Sequence, residues 1–223
     1  VEDVEVVMRK ILVFLLFCLA IIIPCQVRSK GLNPAEEVIN HSAGVVVPML
    51  GQAVGSGVFL IVDGKPAVLT AKHVAEAVGP IPVTFCTYAG DCTEKLYSSF
   101  IAGKTDSLAD DWAIYFIDSF PEGISPAILT RNNPRIGNDT WTSGIAGGVN
   151  RLIIKGSIAW IDFYKDKSMI KVFGYAMPGF SGGGVYNKKG YLIGIVSAIA
   201  TEADGTLQEN IVFVVPVSNI FSS

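Results

Sequence analysis

Charge is scarce in this chain. Only 17% of its 223 residues are charged, 17 basic against 20 acidic, for a net charge of −3. Binding to nucleic acid needs a basic excess to neutralise phosphates, so this balance, with a pI near 5.4, excludes that class of partner. Histidine and cysteine are few as well, two and four, and no Cys-x-x-Cys stands at zinc spacing from a histidine. No metal and no organic cofactor is expected. Low hydrophobicity is also missing: half the residues are apolar, which excludes a disordered chain. Long helices are not expected either, because 23 glycines and 11 prolines are scattered throughout and point to turn-rich β structure.

One apolar run of length exists, residues 11–24 (ILVFLLFCLAIIIP), directly after Arg9-Lys10. A membrane-spanning helix wants about 20 apolar residues and a signal-peptide core about 7 to 15, so the run suits a signal peptide. Pro24 would end a helix there, and Val27-x-Ser29 offers small-residue spacing for cleavage before Lys30. The acidic stretch Val1–Val7 has the wrong sign for a signal start. Either translation begins at Met8 or the chain was cut from a longer reading frame. Residues 1–29 are therefore expected to be a leader, as a cleaved signal peptide or an uncleaved anchor. The remainder is secreted or periplasmic in the first case and membrane-anchored in the second. Membrane contact arises only through residues 11–24, if the leader stays.

Residues 30–43 read as a linker with one helical turn. Short apolar runs then alternate with turn signals at 44–50, 57–62, 67–71, 82–86, 95–102 and 112–117. A connector rich in Pro, Asn and Gly covers 121–137. Six further runs follow at 140–145, 151–161, 169–174, 184–186, 191–198 and 211–216. This spacing predicts an all-β barrel or sandwich built as two β units of similar size, with one short helix over 72–78. Cys86 and Cys92 flank the turn-like Thr-Tyr-Ala-Gly-Asp; they read as a hairpin-closing disulfide suited to an oxidising compartment, or as two unrelated thiols.

The strongest chemical signal is Pro178-Gly179-Phe180-Ser181-Gly182-Gly183-Gly184. A serine among glycines can lie in a merely flexible loop. It can also be a nucleophile, because Gly179 lets its own N–H and that of Ser181 converge on one point as an oxyanion hole. A serine hydroxyl needs a base, and the choice is between two histidines. His41 lies in polar linker sequence and reads as a solvated residue. His73 ends an apolar strand and enters the helical turn, a position at a barrel rim where a base belongs. The base needs an orienting acid, and Asp110-Asp111 precede an apolar strand. Asp111 abuts the apolar run and is expected to be buried, Asp110 to face solvent.

Leu69-Thr70-Ala71-Lys72-His73-Val74, Asp111-Trp112-Ala113-Ile114 and Gly179-Phe180-Ser181-Gly182-Gly183 resemble, in that order, the histidine, aspartate and serine boxes of trypsin-like serine peptidases. Gly55-Ser56-Gly57-Val58-Phe59 and the ending Ile211–Ile220 are most similar to HtrA-type and related short bacterial peptidases. The resemblance spans about residues 44–220. It implies two six-stranded antiparallel barrels, about 44–120 and about 138–220, with the active site between them. It further implies Ser181 as nucleophile, His73 as base, Asp111 as its orienting acid, and Gly179 and Ser181 N–H as the oxyanion hole. Peptides or proteins would be the substrates, with Ser197, Tyr175 and Ile199 lining the cleft. Tyr175 and Ile199 depart from the pattern that favours Lys or Arg, so small or apolar side chains are expected at the cleavage site. Phe180 replaces the aspartate that pairs with a freed N-terminus in pancreatic-type relatives, so activation by that ion pair is not expected. With no peptide-binding PDZ pattern before Ser223, a stand-alone peptidase is expected. Two alternatives remain: a non-catalytic peptide-binding module on the same scaffold, and a membrane-tethered viral or phage polyprotein protease.

Overall fold

In the computed structural model, residues 33–48, 54–147, 150–164, 167–201 and 207–221 are described. The expected leader, residues 1–29, lies outside them. The expected linker is instead a nine-residue helix, Pro34–Ser42. Its start was written in the sequence: the Asn33 side chain accepts the Ala35 N–H at 3.0 Å, the Glu36 carboxylate accepts the Asn33 N–H at 3.3 Å, and Pro34 fills the first turn. The helix holds because Ala35 and Ile39 are fully buried against the β structure, Ile39 alone contributing roughly 1.5–3 kcal/mol.

Strands β1 (Ala43–Pro48), β2 (Gly55–Val62), β3 (Lys65–Thr70), β4 (Val83–Thr87), β5 (Ile101–Ala102) and β6 (Ala113–Phe116) form an antiparallel sheet in the order β4-β1-β2-β3-β6-β5. Both faces are covered, which explains why β2 is apolar almost throughout. Phe59 points inward to Val68, Phe85 and Tyr115. Val58, Leu60 and Val62 point the other way, into a core shared with Trp141, Leu192 and Val215 of the second unit. The expected strand over 95–102 is broken. Tyr97 exchanges two 2.8 Å backbone hydrogen bonds with Val83 of β4, and only Ile101–Ala102 pairs with β6. That one bent segment joins the two ends of the sheet.

The second unit is a closed barrel, β10-β11-β12-β9-β8-β7, made of β7 (Asp139–Ala146), β8 (Asn150–Tyr164), β9 (Lys167–Phe173), β10 (Gly184–Asn187), β11 (Leu192–Thr201) and β12 (Leu207–Pro216). Its interior is packed with Ile158, Ile170, Val172, Val185, Val196 and Val214. The connector lies along both units, Ala127 bridging to Leu60 and Leu129 to Leu192. The histidine, aspartate and serine segments all leave strand ends where the two units meet.

Candidate active site

Strand β3 ends at Thr70, Ala71 stays extended, and the helix Lys72–Val78 begins where it was expected, with His73 in its first turn. Val74, Ala75 and Val78 pack that helix onto the sheet, leaving the His73 side chain half exposed. Opposite it, a 3-10 turn, Leu108–Asp110, delivers Asp111 just before β6. The Asp111 carboxylate accepts three hydrogen bonds. Oδ1 takes the His73 backbone N–H at 3.0 Å, and Oδ2 takes His73 Nδ1–H at 2.8 Å and the Ser197 hydroxyl at 2.6 Å. Because an ionised carboxylate only accepts, His73 carries its proton on Nδ1 and leaves Nε2 free to act as a base.

Burial of Asp111 by itself would push its pKa up, but the hydrogen bonds from His73 and Ser197 outweigh it and hold the carboxyl below its usual range. For His73, the hydrogen bond to Asp111 outweighs desolvation and raises its pKa above the ordinary 6.5. Beside this pair runs a groove of about 370 Å³, bordered by Lys72, Glu76, Asp106, Leu108, Ser197 and Ala198.

The serine loop is shaped by close backbone approach. Phe180 N–H returns to Met177 O at 3.0 Å and Gly179 has φ +99°; with Pro178 before it, this is a type II turn. Pro178 O accepts from Gly147 N–H at 3.1 Å, so the Gly179 N–H points to the opposite side of that peptide. Among the described residues, neither the Gly179 nor the Ser181 N–H donates to a protein acceptor. Gly182 (φ +82°) leaves no room for a side chain: a Cβ there would lie 2.2 Å from Thr70 Oγ1 and 2.3 Å from Ser56 O. This contact sets Ser181 beside the strand end that leads to His73. Among the described residues, no hydrogen bond joins Ser181 Oγ to the His73 ring. Phe180, fully buried in the barrel core, lies against Gly144.

Ser56, part of a recognised motif but given no role from sequence, binds both flanks of Ser181. Its N–H donates to Ser181 O at 2.8 Å and its hydroxyl to Gly179 O at 2.7 Å, while Ile145 N–H donates to that hydroxyl at 3.0 Å. Nothing in the sequence separates it from other serines between glycines. Ser197 borders the groove, but its hydroxyl is given to Asp111. Ile199 pairs with Val212 and packs against the barrel core with Met177, whereas Tyr175 is exposed. His41 is exposed on the last turn of its helix, 3.2 Å from Gly123 O.

Asp110 does not face solvent as expected. It is 1% exposed, because Lys167, Trp112 and Thr105 supply the donors that a buried carboxylate requires. Cys86 and Cys92 are disulfide-bonded. The loop they close presents Tyr88 to Ser143 at 3.3 Å and to the Arg151 guanidinium, 5.2 Å above the ring.

Two β units, one a closed six-stranded barrel and one a six-stranded sheet, with a site at their junction, define the chymotrypsin-like fold. The trypsin-like peptidase domain family matches residues 55–195, well over half of the chain, and the chain belongs to that family. No curated protein sequence matches it. Among solved structures, the HtrA-type protease AlgW with a decapeptide is 21% identical with a TM-score of 0.64, over 85% of this chain and 67% of that one. An inactive form of Rv3671c from M. tuberculosis H37Rv, carrying a serine-to-alanine substitution, is 19% identical with a TM-score of 0.60, over 84% and 87%. At these identities the likeness is one of fold.

Proposed function

We propose that the chain is a serine endopeptidase acting through Ser181, His73 and Asp111. The observation that carries this reading is the chain of hydrogen bonds from Ser197 and His73 to Asp111, standing beside a glycine-shaped serine loop whose Gly179 and Ser181 N–H groups have no acceptor among the described residues. Ser181 Oγ attacks the scissile carbonyl carbon as its proton passes to His73 Nε2. The oxyanion accepts hydrogen bonds from Gly179 and Ser181 N–H. Collapse expels the amine, protonated by His73, and leaves an acyl-enzyme that water hydrolyses by the same route. Asp111 keeps the proton on Nδ1 and stabilises the imidazolium. The Ser181 Oγ–His73 Nε2 contact forms as substrate binds, when such hydrogen bonds tighten.

The substrate is a peptide or protein. The AlgW structures with a decapeptide and a tripeptide support that class, and Tyr175 and Ile199, in place of the residues that favour Lys or Arg, support a small or apolar side chain at the cleavage site. The apolar run at 11–24 and the disulfide support export to an oxidising compartment. The test is labelling of the protein by a fluorophosphonate. Rapid labelling that is lost in both Ser181→Ala and His73→Ala is expected. A folded protein that is not labelled would sink the reading and favour a peptide-binding module instead.

A further inference from the structure

We infer that Lys167 and Asn219, both from the second β unit, are positioning residues for Asp111: they clamp the 3-10 turn Leu108–Asp110 and thereby set where the Asp111 carboxylate meets His73. The consequence for catalysis rests on the serine-peptidase reading; the clamp itself does not.

The turn belongs to the first unit by sequence, yet it is gripped from the other side. Lys167 Nζ lies 2.5 Å from Asp110 Oδ1, which also accepts Trp112 Nε1–H at 3.2 Å. Asp110 Oδ2 takes the Thr105 N–H at 3.1 Å and the Thr105 hydroxyl at 2.8 Å. Asn219, on the short helix Val217–Ile220 after β12, donates to Ala109 O at 3.0 Å and to Ser168 O at 2.7 Å, and accepts the Ser168 N–H at 3.2 Å. One planar amide thus ties the turn to the start of β9, next to Lys167. Aspartate at 219 could not replace it, since both carbonyls need a donor. On the far side the turn has no slack, because a Cβ at Gly103 would lie 1.9 Å from Asp110 O. Asp111 follows the clamped turn directly. A shift of the turn therefore becomes a shift of the carboxylate under His73, and errors of about 1 Å in such geometry cost about 10²-fold in rate.

The ring of His73 reports on this clamp. The groups facing it are Asp111 and Asp106 from the aspartate loop, Lys72 and Glu76 from its own helix, and the neutral Ser197 from β11. None of these is altered by substitutions at 167 or 219. His41 is the only other histidine, so NMR titration of the full chain, with His41→Gln for assignment, reads His73 cleanly.

In Asn219→Ala and Lys167→Met the His73 midpoint is expected to fall toward the free imidazole value, because the hydrogen bond to Asp111 that raises it is displaced. The peptidase activity of these variants should lose about tenfold in kcat with KM within about twofold. Lys167→Arg, which keeps the charge and donors, should restore both. If Lys167→Met does not fold, Asn219→Ala carries the test, since it removes only hydrogen bonds at a half-buried position. Folded variants with the wild-type midpoint overturn the inference even if the protein is labelled by fluorophosphonate. A shifted midpoint in a protein that is never labelled leaves the clamp standing and removes the peptidase reading alone.

Discussion

The two β units hold their parts of the site by different physics. In the first unit, His73 and Asp111 are fixed by side-chain hydrogen bonds to charged groups, reinforced from β11, β9 and the last helix. In the second, the serine loop is fixed by shape and by neutral hydrogen bonds from Ser56: positive φ at Gly179 and Gly182, backbone contacts too tight for a Cβ, and the ring of Phe180 sunk in a closed barrel. Charge-assisted bonds depend on protonation, whereas steric ones do not. The first half of the site should therefore respond to pH and the second to volume.

Volume gives the largest effects. Phe180→Ala empties the fully buried ring site beneath the serine loop and should lower stability by about 3–5 kcal/mol, read as a fall in Tm or in the denaturant midpoint. A loss under 1 kcal/mol would mean the loop is not anchored by that ring. Gly182→Ala forces a methyl into Thr70 Oγ1 and Ser56 O at positive φ, displacing Ser181 from the histidine strand. It should cost about 10²-fold or more in kcat/KM, measured on any cleaved peptide. Near-wild-type activity would show that the loop tolerates movement and would dissolve the contrast.

Protonation gives the next effect. His73 is raised above 6.5, and its protonated form cannot accept the Ser181 proton, so activity should climb as pH rises through a midpoint above that value. Stability runs the other way. The His73 contribution is fully present below 6.5 and is lost as pH rises through the folded value, while that of Asp111 is present above its ordinary 3.8 and is lost as pH falls through its depressed folded value. A kcat/KM profile flat from pH 5 to 8 would remove His73 as the base. The smallest change is expected at the junction. Tyr88→Phe deletes one hydrogen bond to Ser143 while keeping the ring under Arg151, and should cost about 0.5–1.5 kcal/mol in stability with little change in the pH midpoint. A shifted midpoint would mean that the two halves of the site are coupled through the disulfide loop.

Much of this was legible in the residue order. Apolar runs separated by turn residues marked the strands, all but the broken 95–102 run close to their final limits, and His73, Asp111 and Ser181 lie on the segments brought to one junction. The helix Pro34–Ser42 was legible too, in Asn33, Pro34 and Glu36, but was read as linker. Asp110 misled for a definite reason. A charged residue beside a turn looks solvent-facing until its partner is known, and Lys167 is 57 positions away.

Local periodicity, glycine at positive φ and the capping box act within a few residues, so the sequence by itself determined the strands, the serine turn and the three chemical segments. Which side of Asp111 meets His73, that Ser56 grips both flanks of Ser181, and that Asn219 reaches Ala109 across 110 residues were decided only by the tertiary structure. Those contacts join residues whose spacing carries no period. They exist because two β units bury a common apolar face and bring otherwise ordinary polar side chains within reach.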